Sequence, residues 1–267
     1  MTTADAAYSG SIPALYDRCL GALLFAPYAT DMVRRLSGLA EGAVLETAAG
    51  TGIVTRELAA RLPDGVRIVA TDLNKDMLDC AAAKPGMERV VFRQADAQSL
   101  PFTDASFDAV VCQFGVMMFP DRVAAYREAC RVLKPGGRLL FSVWGSISNN
   151  PAGAVINDAV AALFPADPPR FLTRAPYGYN DTVLIEADLQ QGGFTKVAID
   201  TITLPCRGGT ARDLATGYCH GSPLGREIEA RKPGGLVAAT DAITVALTER
   251  FGETVDTTMQ AIVVTAG

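Results

Sequence analysis

The chain predicts a doubly wound α/β fold, and three observations carry that reading. Between residues 43 and 144, apolar runs alternate with helical patterns, the mark of parallel strands joined by crossover helices. The first run, 44–47, ends in a small-residue turn, Ala48-Ala49-Gly50-Thr51-Gly52, ahead of a helix beginning near Ile53. An acid, Asp72, closes the next run, one strand-helix-strand step along the chain.

Ahead of this core, residues 12–39 read as one or two helices. Leu15, Leu20, Leu23, Leu24 and Phe25 make them strongly apolar, Pro13 stands near the first helical position, and Pro27 interrupts them. Strands are expected at 44–47, 67–71, 90–94, 109–114 and 138–144, several of them apolar throughout, as strands covered on both faces should be. A helix at 122–133 stops at Lys134-Pro135-Gly136-Gly137, a turn into the next strand. Beyond Trp144 the pattern loosens through Asn149-Asn150-Pro151 and the proline-rich stretch 164–169. A helix at 181–191 then leads through Gly192-Gly193-Phe194 to a strand at 197–204. A second helical stretch over 212–251 and a closing strand at 259–265 complete the reading, for seven strands in all. At 267 residues one domain accommodates everything: a helical cover at 1–42, a core at 43–145, and lid segments at 146–192 and 207–250.

Composition narrows the class. The net charge is −5, and the basic residues are scattered rather than gathered into a stripe, so no nucleic-acid backbone is expected as partner. The six cysteines include no C-x-x-C pair and no metal-ligand rhythm with the single histidine, His220, so free thiols and no metal are expected. Met1-Thr2-Thr3-Ala4-Asp5 lacks a basic region ahead of an apolar one, and no apolar run is long enough to span a bilayer. A soluble cytoplasmic protein is the expectation, with a homodimer left open.

The glycine turn and Asp72 together point to a nucleoside cofactor. Glycine lacks the Cβ that blocks close backbone approach, and an acid at the end of the next strand can accept from ribose hydroxyls. Each alone has a plainer reading: an ordinary strand-to-helix turn, and an N-cap at Asp72 or Asn74 for the following helix. A dinucleotide site would favour G-x-G-x-x-G, whereas Thr55 stands at the third glycine's place, which disfavours NAD.

The segments that follow are more specific. Phe92-Arg93-Gln94-Ala95-Asp96-Ala97-Gln98-Ser99-Leu100-Pro101-Phe102 precedes Ser106-Phe107-Asp108-Ala109-Val110-Val111. Then come Gln113-Phe114-Gly115-Val116-Met117-Met118-Phe119-Pro120-Asp121 and Val132-Leu133-Lys134-Pro135-Gly136-Gly137. In this ordered series the chain resembles the class I S-adenosylmethionine-dependent methyltransferases, in their small-molecule, ubiquinone/menaquinone-biosynthesis-like branch. The resemblance is close over 43–144, looser over the preceding helices, where Tyr16-Asp17 and Phe25-Ala26-Pro27-Tyr28 fit, and weak beyond Trp144. Where the family often has Cys or Gly before the first glycine, this chain has Ala49.

The resemblance implies a Rossmann-like, mostly parallel sheet whose last strand is antiparallel. It implies S-adenosylmethionine as cofactor, S-adenosylhomocysteine as product, and methyl transfer to an O, N or C atom of a small, partly apolar metabolite. Ala48, Gly50, Thr51 and Gly52 would line the methionine portion, with Glu46 on its ammonium. Asp72 would hold the ribose, with Leu73 and Met77 near the adenine and Asp96 and Ala97 at its edge. Gln113 and Phe114 would lie under the methyl group. By side-chain chemistry His220 is the candidate general base, and Tyr16 and Tyr28 are candidates to face substrate, against plain packing roles for all three. The competing readings are a nicotinamide-dependent oxidoreductase and a non-catalytic cofactor-binding module.

Overall fold

The structure is a computed structural model that describes residues 8, 10, 12–232 and 234–267. The expectation drawn from Met1 to Asp5 lies outside the described residues. Apolar N-terminal segments form α1 (Ile12–Tyr16), a π-helical stretch (Asp17–Phe25) and α2 (Ala26–Arg34). Pro27 does not interrupt them. It stands in the first turn of α2, where a missing N–H costs nothing, and the preceding turns widen so that Ala26 N–H bonds to the Gly21 carbonyl five residues back.

The core then alternates as expected: β1 (Gly42–Glu46), α3 (Ile53–Arg61), β2 (Val66–Asp72), α4 (Lys75–Ala82), β3 (Val90–Gln94), β4 (Phe107–Gln113), α5 (Arg122–Val132) and β5 (Leu133–Trp144). After these come α6 (Pro151–Leu163), α7 (Phe171–Arg174), α8 (Thr182–Gln191), β6 (Val197–Thr210), α9 (Ala211–His220), α10 (Leu224–Arg231), α11 (Leu236–Phe251) and β7 (Thr254–Ala266). The seven strands form one sheet in the order β3-β2-β1-β4-β5-β7-β6. Pairings are parallel up to β5 and antiparallel for β5–β7 and β6–β7. The order reverses between β1 and β4, which sets the crevice at their carboxyl ends.

Strict alternation explains why these strands read as continuous apolar runs. Val44, Ile68, Val111 and Leu140 pack with Met32, Val33, Val54 and Leu58 on one face of the sheet. Their neighbours Leu45, Val69, Val110 and Phe141 pack on the other, with Tyr126, Ile156, Leu214 and Ile243. A strand covered on both faces has no polar side to display.

Several family-like motif residues serve the scaffold. Asp108 accepts from the Ala43 amide at 2.8 Å and from Lys134 Nζ at 2.7 Å, and this pairing holds its carboxyl below the usual range despite some desolvation. Glu128 accepts from the Leu100 amide at 2.7 Å. Arg131 donates to the Leu100 and Phe102 carbonyls, so the Leu100-Pro101-Phe102 loop is clamped to α5. Asp121 caps α5 by accepting from the Ala124 amide at 2.8 Å.

The sheet's far edge departs from the expected pattern. β6 and β7 run well past 204 and before 259, paired from Val197↔Ala266 to Thr210↔Thr254. Pro205 does not end β6, because an edge strand can turn a residue lacking N–H away from its one neighbour. The helical stretch expected over 212–251 consists of three helices, separated at Gly221-Ser222-Pro223 and again between Arg231 and Leu236. The six cysteines are all free. No described helix is long and apolar enough to cross a membrane.

Where the turn after β1 meets the turn after β4, a Cβ on Gly115 would stand 2.5 Å from Ala48 Cβ and 2.7 Å from Cys112 Sγ. Gly115→Ala is therefore expected to cost about 1–3 kcal/mol, the usual range for overpacking a tight site. Urea unfolding of the variant beside the wild type measures it.

Candidate functional site

At the carboxyl end of β1 the backbone bends sharply. Ala48 has φ 52°, Gly50 56° and Gly52 79°, all left-handed, and Gly52 is the N-cap of α3. The turn is pinned by the Thr47 amide on the Val111 carbonyl and the Ala49 amide on the Thr71 carbonyl, each at 2.9 Å. Gly52 has no room for a side chain, since a Cβ there would lie 2.8 Å from Ala81 Cβ. Gly50 is different: nothing comes closer to its Cβ position than Met77 Cε, at 3.6 Å. The turn is thus close-packed behind and open in front.

Two buried carboxyls flank this opening. Asp72 accepts from the Gly50 amide at 2.8 Å and from the Asn74 amide at 2.8 Å, and burial raises its pKa against those bonds. Asn74 occupies the N-cap position of α4 without a side-chain capping bond, and its Oδ1 accepts from the Tyr8 amide instead. Glu46 is 2 % exposed. Thr55 Oγ1 donates to it at 2.6 Å, yet desolvation pushes its pKa up to about 8, with the nearby Asp72 adding to the rise. Burial therefore favours the protonated form of Glu46 near neutral pH.

The remaining expected residues fall around the same crevice. Thr51 is buried, and its hydroxyl donates at 2.7 Å to Asp17 in the π-helical stretch. Lys84 donates both to Asp17 and, at 2.7 Å, to the Thr51 carbonyl, completing a clasp between the N-terminal helices and the turn. Leu73 is half exposed at the end of β2, and Met77 is buried beneath Gly50. Asp96 closes its own turn, its Oδ1 accepting from the Gln98 amide at 2.8 Å and from Gln98 Nε2 at 3.0 Å. Ala97 is half-buried beside it.

Gln113 ends β4 with its Nε2 on the Phe25 carbonyl at 3.1 Å, while its Oε1 is buried without a partner. An unmatched buried acceptor costs about 1–3 kcal/mol, so it marks a place where a ligand donor is wanted. Phe114 follows at φ 53° and stacks on Trp144 with ring centroids 3.8 Å apart. Left-handed backbone at a non-glycine residue is strain of the kind that gathers at functional sites.

Beside Phe114 lies an aromatic cavity of about 60 Å³, lined by Tyr16, Phe25, Met117, Trp144, Phe171 and Tyr218, among others. Tyr16 stacks on Phe25 at 5.1 Å and sees the charge of Asp72, so it stands between cavity and crevice. This volume holds a few waters and no aromatic ring, so an acceptor ring requires movement of the cavity wall. A larger groove, about 460 Å³, lies between Thr30–Ala40 and Arg61–Pro63, beyond the amino end of β1 and away from the crevice.

Two expected substrate and catalytic residues lie elsewhere. Tyr28 is 1 % exposed, its hydroxyl spent on the Met259 carbonyl at 2.6 Å and its ring set edge-on to Phe114 and Trp144. It is a strut beneath the cavity rather than part of its wall. His220 pairs its Nε2 with Thr240 Oγ1 at 3.1 Å, joining α9 to α11, and does not line the cavity. Tyr218, two residues earlier and so on the opposite side of α9, lines the cavity. Neither Tyr218 nor the Asp17–Lys84 clasp carried a signal in local sequence, because their partners come from distant segments.

Comparison with known proteins agrees with this geometry. A methyltransferase domain family model matches residues 45–141. The chain is 34 % identical over 183 residues to the ubiquinone/menaquinone biosynthesis C-methyltransferase UbiE of Ectopseudomonas mendocina, covering 63 % of this chain and 71 % of that protein. The chain belongs to the S-adenosylmethionine-dependent methyltransferases. It is also 43 % identical over 114 residues to a demethylmenaquinone methyltransferase of Deinococcus radiodurans, an alignment spanning 42 % of this chain and only 47 % of that relative. Among solved structures, the YcgJ protein of Bacillus subtilis shares the fold with a TM-score of 0.58 at 20 % identity, over 90 % of this chain and 97 % of that one. A phosphoethanolamine N-methyltransferase of Haemonchus contortus, solved with S-adenosylhomocysteine, does so at 0.60 and 17 %, over 95 % and 56 %.

The methyltransferase cofactor fits the residues present: an open glycine cradle, two buried carboxyls, and an acceptor lacking a donor. The raised pKa of Glu46 also fixes a sign. Between about 4.5 and about 8 the unfolded chain gives up this proton and the folded one keeps it, so stability falls as pH rises, by about 1.4 kcal/mol per unit. Glu46→Gln is expected to flatten that decline and to be more stable than the wild type at pH 8. Thermal unfolding without cofactor across pH 5–8 reads this directly.

Proposed function

We propose that the enzyme transfers the methyl group of S-adenosylmethionine to a small, planar, largely apolar acceptor held in the aromatic cavity. The observation that carries the reading is the adjacency of two spaces. Phe114 closes one end of the glycine-turn crevice and also lines the cavity walled by Tyr16, Phe25 and Trp144. Relatives named for demethylmenaquinone and for ubiquinone/menaquinone biosynthesis favour a ring-shaped acceptor.

The bound cofactor supplies a sulfonium-activated methyl group, so the protein's task is orientation and exclusion of water. Gly50 and Gly52 give backbone access to the methionine portion, and the N-terminus of α3 favours its carboxylate. Glu46 ionises against the ammonium. Asp72 exchanges its internal bonds for ribose hydroxyls, with Met77 under the base and Leu73, Asp96 and Ala97 at its rim. Gln113 Oε1 faces the reacting end, and the Asp17–Lys84–Thr51 clasp closes the N-terminal helices over the site. The described residues within 1–42, 146–192 and 207–250 together form the cover. Six free thiols suit a reducing compartment, and the cytoplasm is the proposed location.

Calorimetry with S-adenosylhomocysteine tests the reading; well-folded protein that fails to bind it would sink the proposal. Asp72→Ala and Asp96→Ala are each expected to weaken binding roughly 10- to 100-fold, the worth of a hydrogen bond to a charged group, while unfolding stays cooperative. Near pH 7, binding should also release close to one proton from Glu46, seen when the titration is repeated in buffers of different ionisation enthalpy, and Glu46→Gln should abolish the release. Incubation with methyl-labelled cofactor and a metabolite extract then identifies the acceptor.

A further inference from the structure

Among the described residues, three buried side-chain polar atoms have no hydrogen-bond partner: Gln113 Oε1, Ser142 Oγ and Arg122 Nε. The Arg122 guanidinium has a contact of another kind, lying 4.2 Å over the centre of the Tyr179 ring. The other two atoms are neighbours. Gln113 and Ser142 stand opposite each other in the parallel pairing of β4 and β5. Two residues back along each strand are Val111 and Leu140, which pack with Met32 and Val33 of α2, so both polar side chains leave that same face of the sheet. Ser142 is 1 % exposed and interrupts an otherwise apolar run, Leu139-Leu140-Phe141-Ser142-Val143-Trp144. On a strand covered on both faces, a hydroxyl without a partner is a standing cost.

The two groups are chemically complementary. The Gln113 amide is held at its nitrogen, which donates to the Phe25 carbonyl at 3.1 Å, so its oxygen is fixed as an acceptor that needs a donor. The Ser142 hydroxyl can donate and accept. No bond joins the two oxygens directly. Facing residues on neighbouring strands stand about 4.8 Å apart, close to the gap that two bonds of about 2.8 Å span through one water. Neither residue lines the aromatic cavity or the small space behind it, so the occupant between them is water-sized and is not the methyl acceptor.

We infer that one buried water joins the pair, accepting from Ser142 Oγ and donating to Gln113 Oε1, and that Ser142 is thereby a positioning residue for Gln113. Two polar partners are the fewest that keep a water inside a protein. With its nitrogen on Phe25 and its oxygen on the shared water, the amide cannot turn over. Phe25 also lines the aromatic cavity, so the same bonds hold that wall to the end of β4. The consequence for binding rests on the methyltransferase reading above. At the reacting end, a fixed amide oxygen with its partial negative charge favours the sulfonium of S-adenosylmethionine over the neutral sulfur of S-adenosylhomocysteine. An amide free to turn presents its N–H groups as often, and the preference fades.

A crystal structure of the full-length protein with S-adenosylhomocysteine is expected to show one water within hydrogen-bond distance of both oxygens, and none there in Ser142→Ala. Calorimetry then compares the affinities for S-adenosylmethionine and S-adenosylhomocysteine. Ser142→Ala is expected to lower the preference for S-adenosylmethionine roughly 3- to 10-fold, the worth of one neutral hydrogen bond, and Ser142→Thr to restore it. A wild-type crystal without the shared water, or with the two side chains bonded directly, overturns the inference. So does Ser142→Ala with an unchanged preference, because a merely structural role moves both affinities together. If Ser142→Ala does not fold, the wild-type crystal decides alone. Wild-type protein that binds neither ligand would fell the methyltransferase reading, while a ligand-free crystal still shows whether the water joins the pair.

Discussion

The site depends on one steric constraint: the chain must leave β1 and β4 through left-handed residues that nearly touch. Ala48 and Phe114 both take positive φ without being glycine, and Gly115 lies against Ala48 with no space for a Cβ between them. Each conformation costs of order 1–3 kcal/mol. The sheet repays it through the parallel pairing of β1 and β4 and through side chains buried on both faces. Because the two strands diverge only after this contact, the glycine turn and the Phe114–Trp144 stack open toward the same crevice. On the proposed reading, methyl donor and acceptor then meet between two fixed strand ends.

Around that contact, the recurrent sequence features divide into scaffold and site. Asp108 with Lys134, and Glu128 with Arg131, hold strand ends and the Leu100-Pro101-Phe102 loop; they have strong partners and carboxyl pKa values below the ordinary range. Glu46 and Asp72 are the opposite case. Burial raises their pKa values, that of Asp72 against several hydrogen bonds and that of Glu46 against the one from Thr55. A carboxyl kept in an unfavourable environment is the signature of a group awaiting a ligand.

Much of the fold was legible because both sheet faces are buried, which writes the inner strands as apolar runs. The antiparallel β7 came from family likeness instead. What was illegible has physical reasons. The strand expected to stop at 204 runs on through Pro205, because β6 is an edge and sequence does not say which strand is one. Pro27 looked like a break because a helix that widens to five-residue bonds has no distinct apolar period. The glycine turn and Asp72 were legible as a local pattern, whereas the pairing of Lys84 with Asp17, 67 residues apart, was not. His220 drew attention by its chemistry, yet α9 turns it toward Thr240 and presents Tyr218 to the cavity instead.

The N-terminal helix run is a wall shared by two chambers. Tyr16, Leu20, Leu24 and Phe25 line the acceptor cavity, while Asp17 in the same run fastens the cofactor turn through Thr51 and Lys84. The Phe25 carbonyl also steadies Gln113. A shift of this wall would therefore act on the Asp17, Thr51 and Lys84 bonds that hold the turn. Any coupling between the two occupants would, by thermodynamic reciprocity, change both affinities by the same factor. On the proposed reading, the helix run that lines the acceptor's cavity is also the one tied to the methyl donor's cradle.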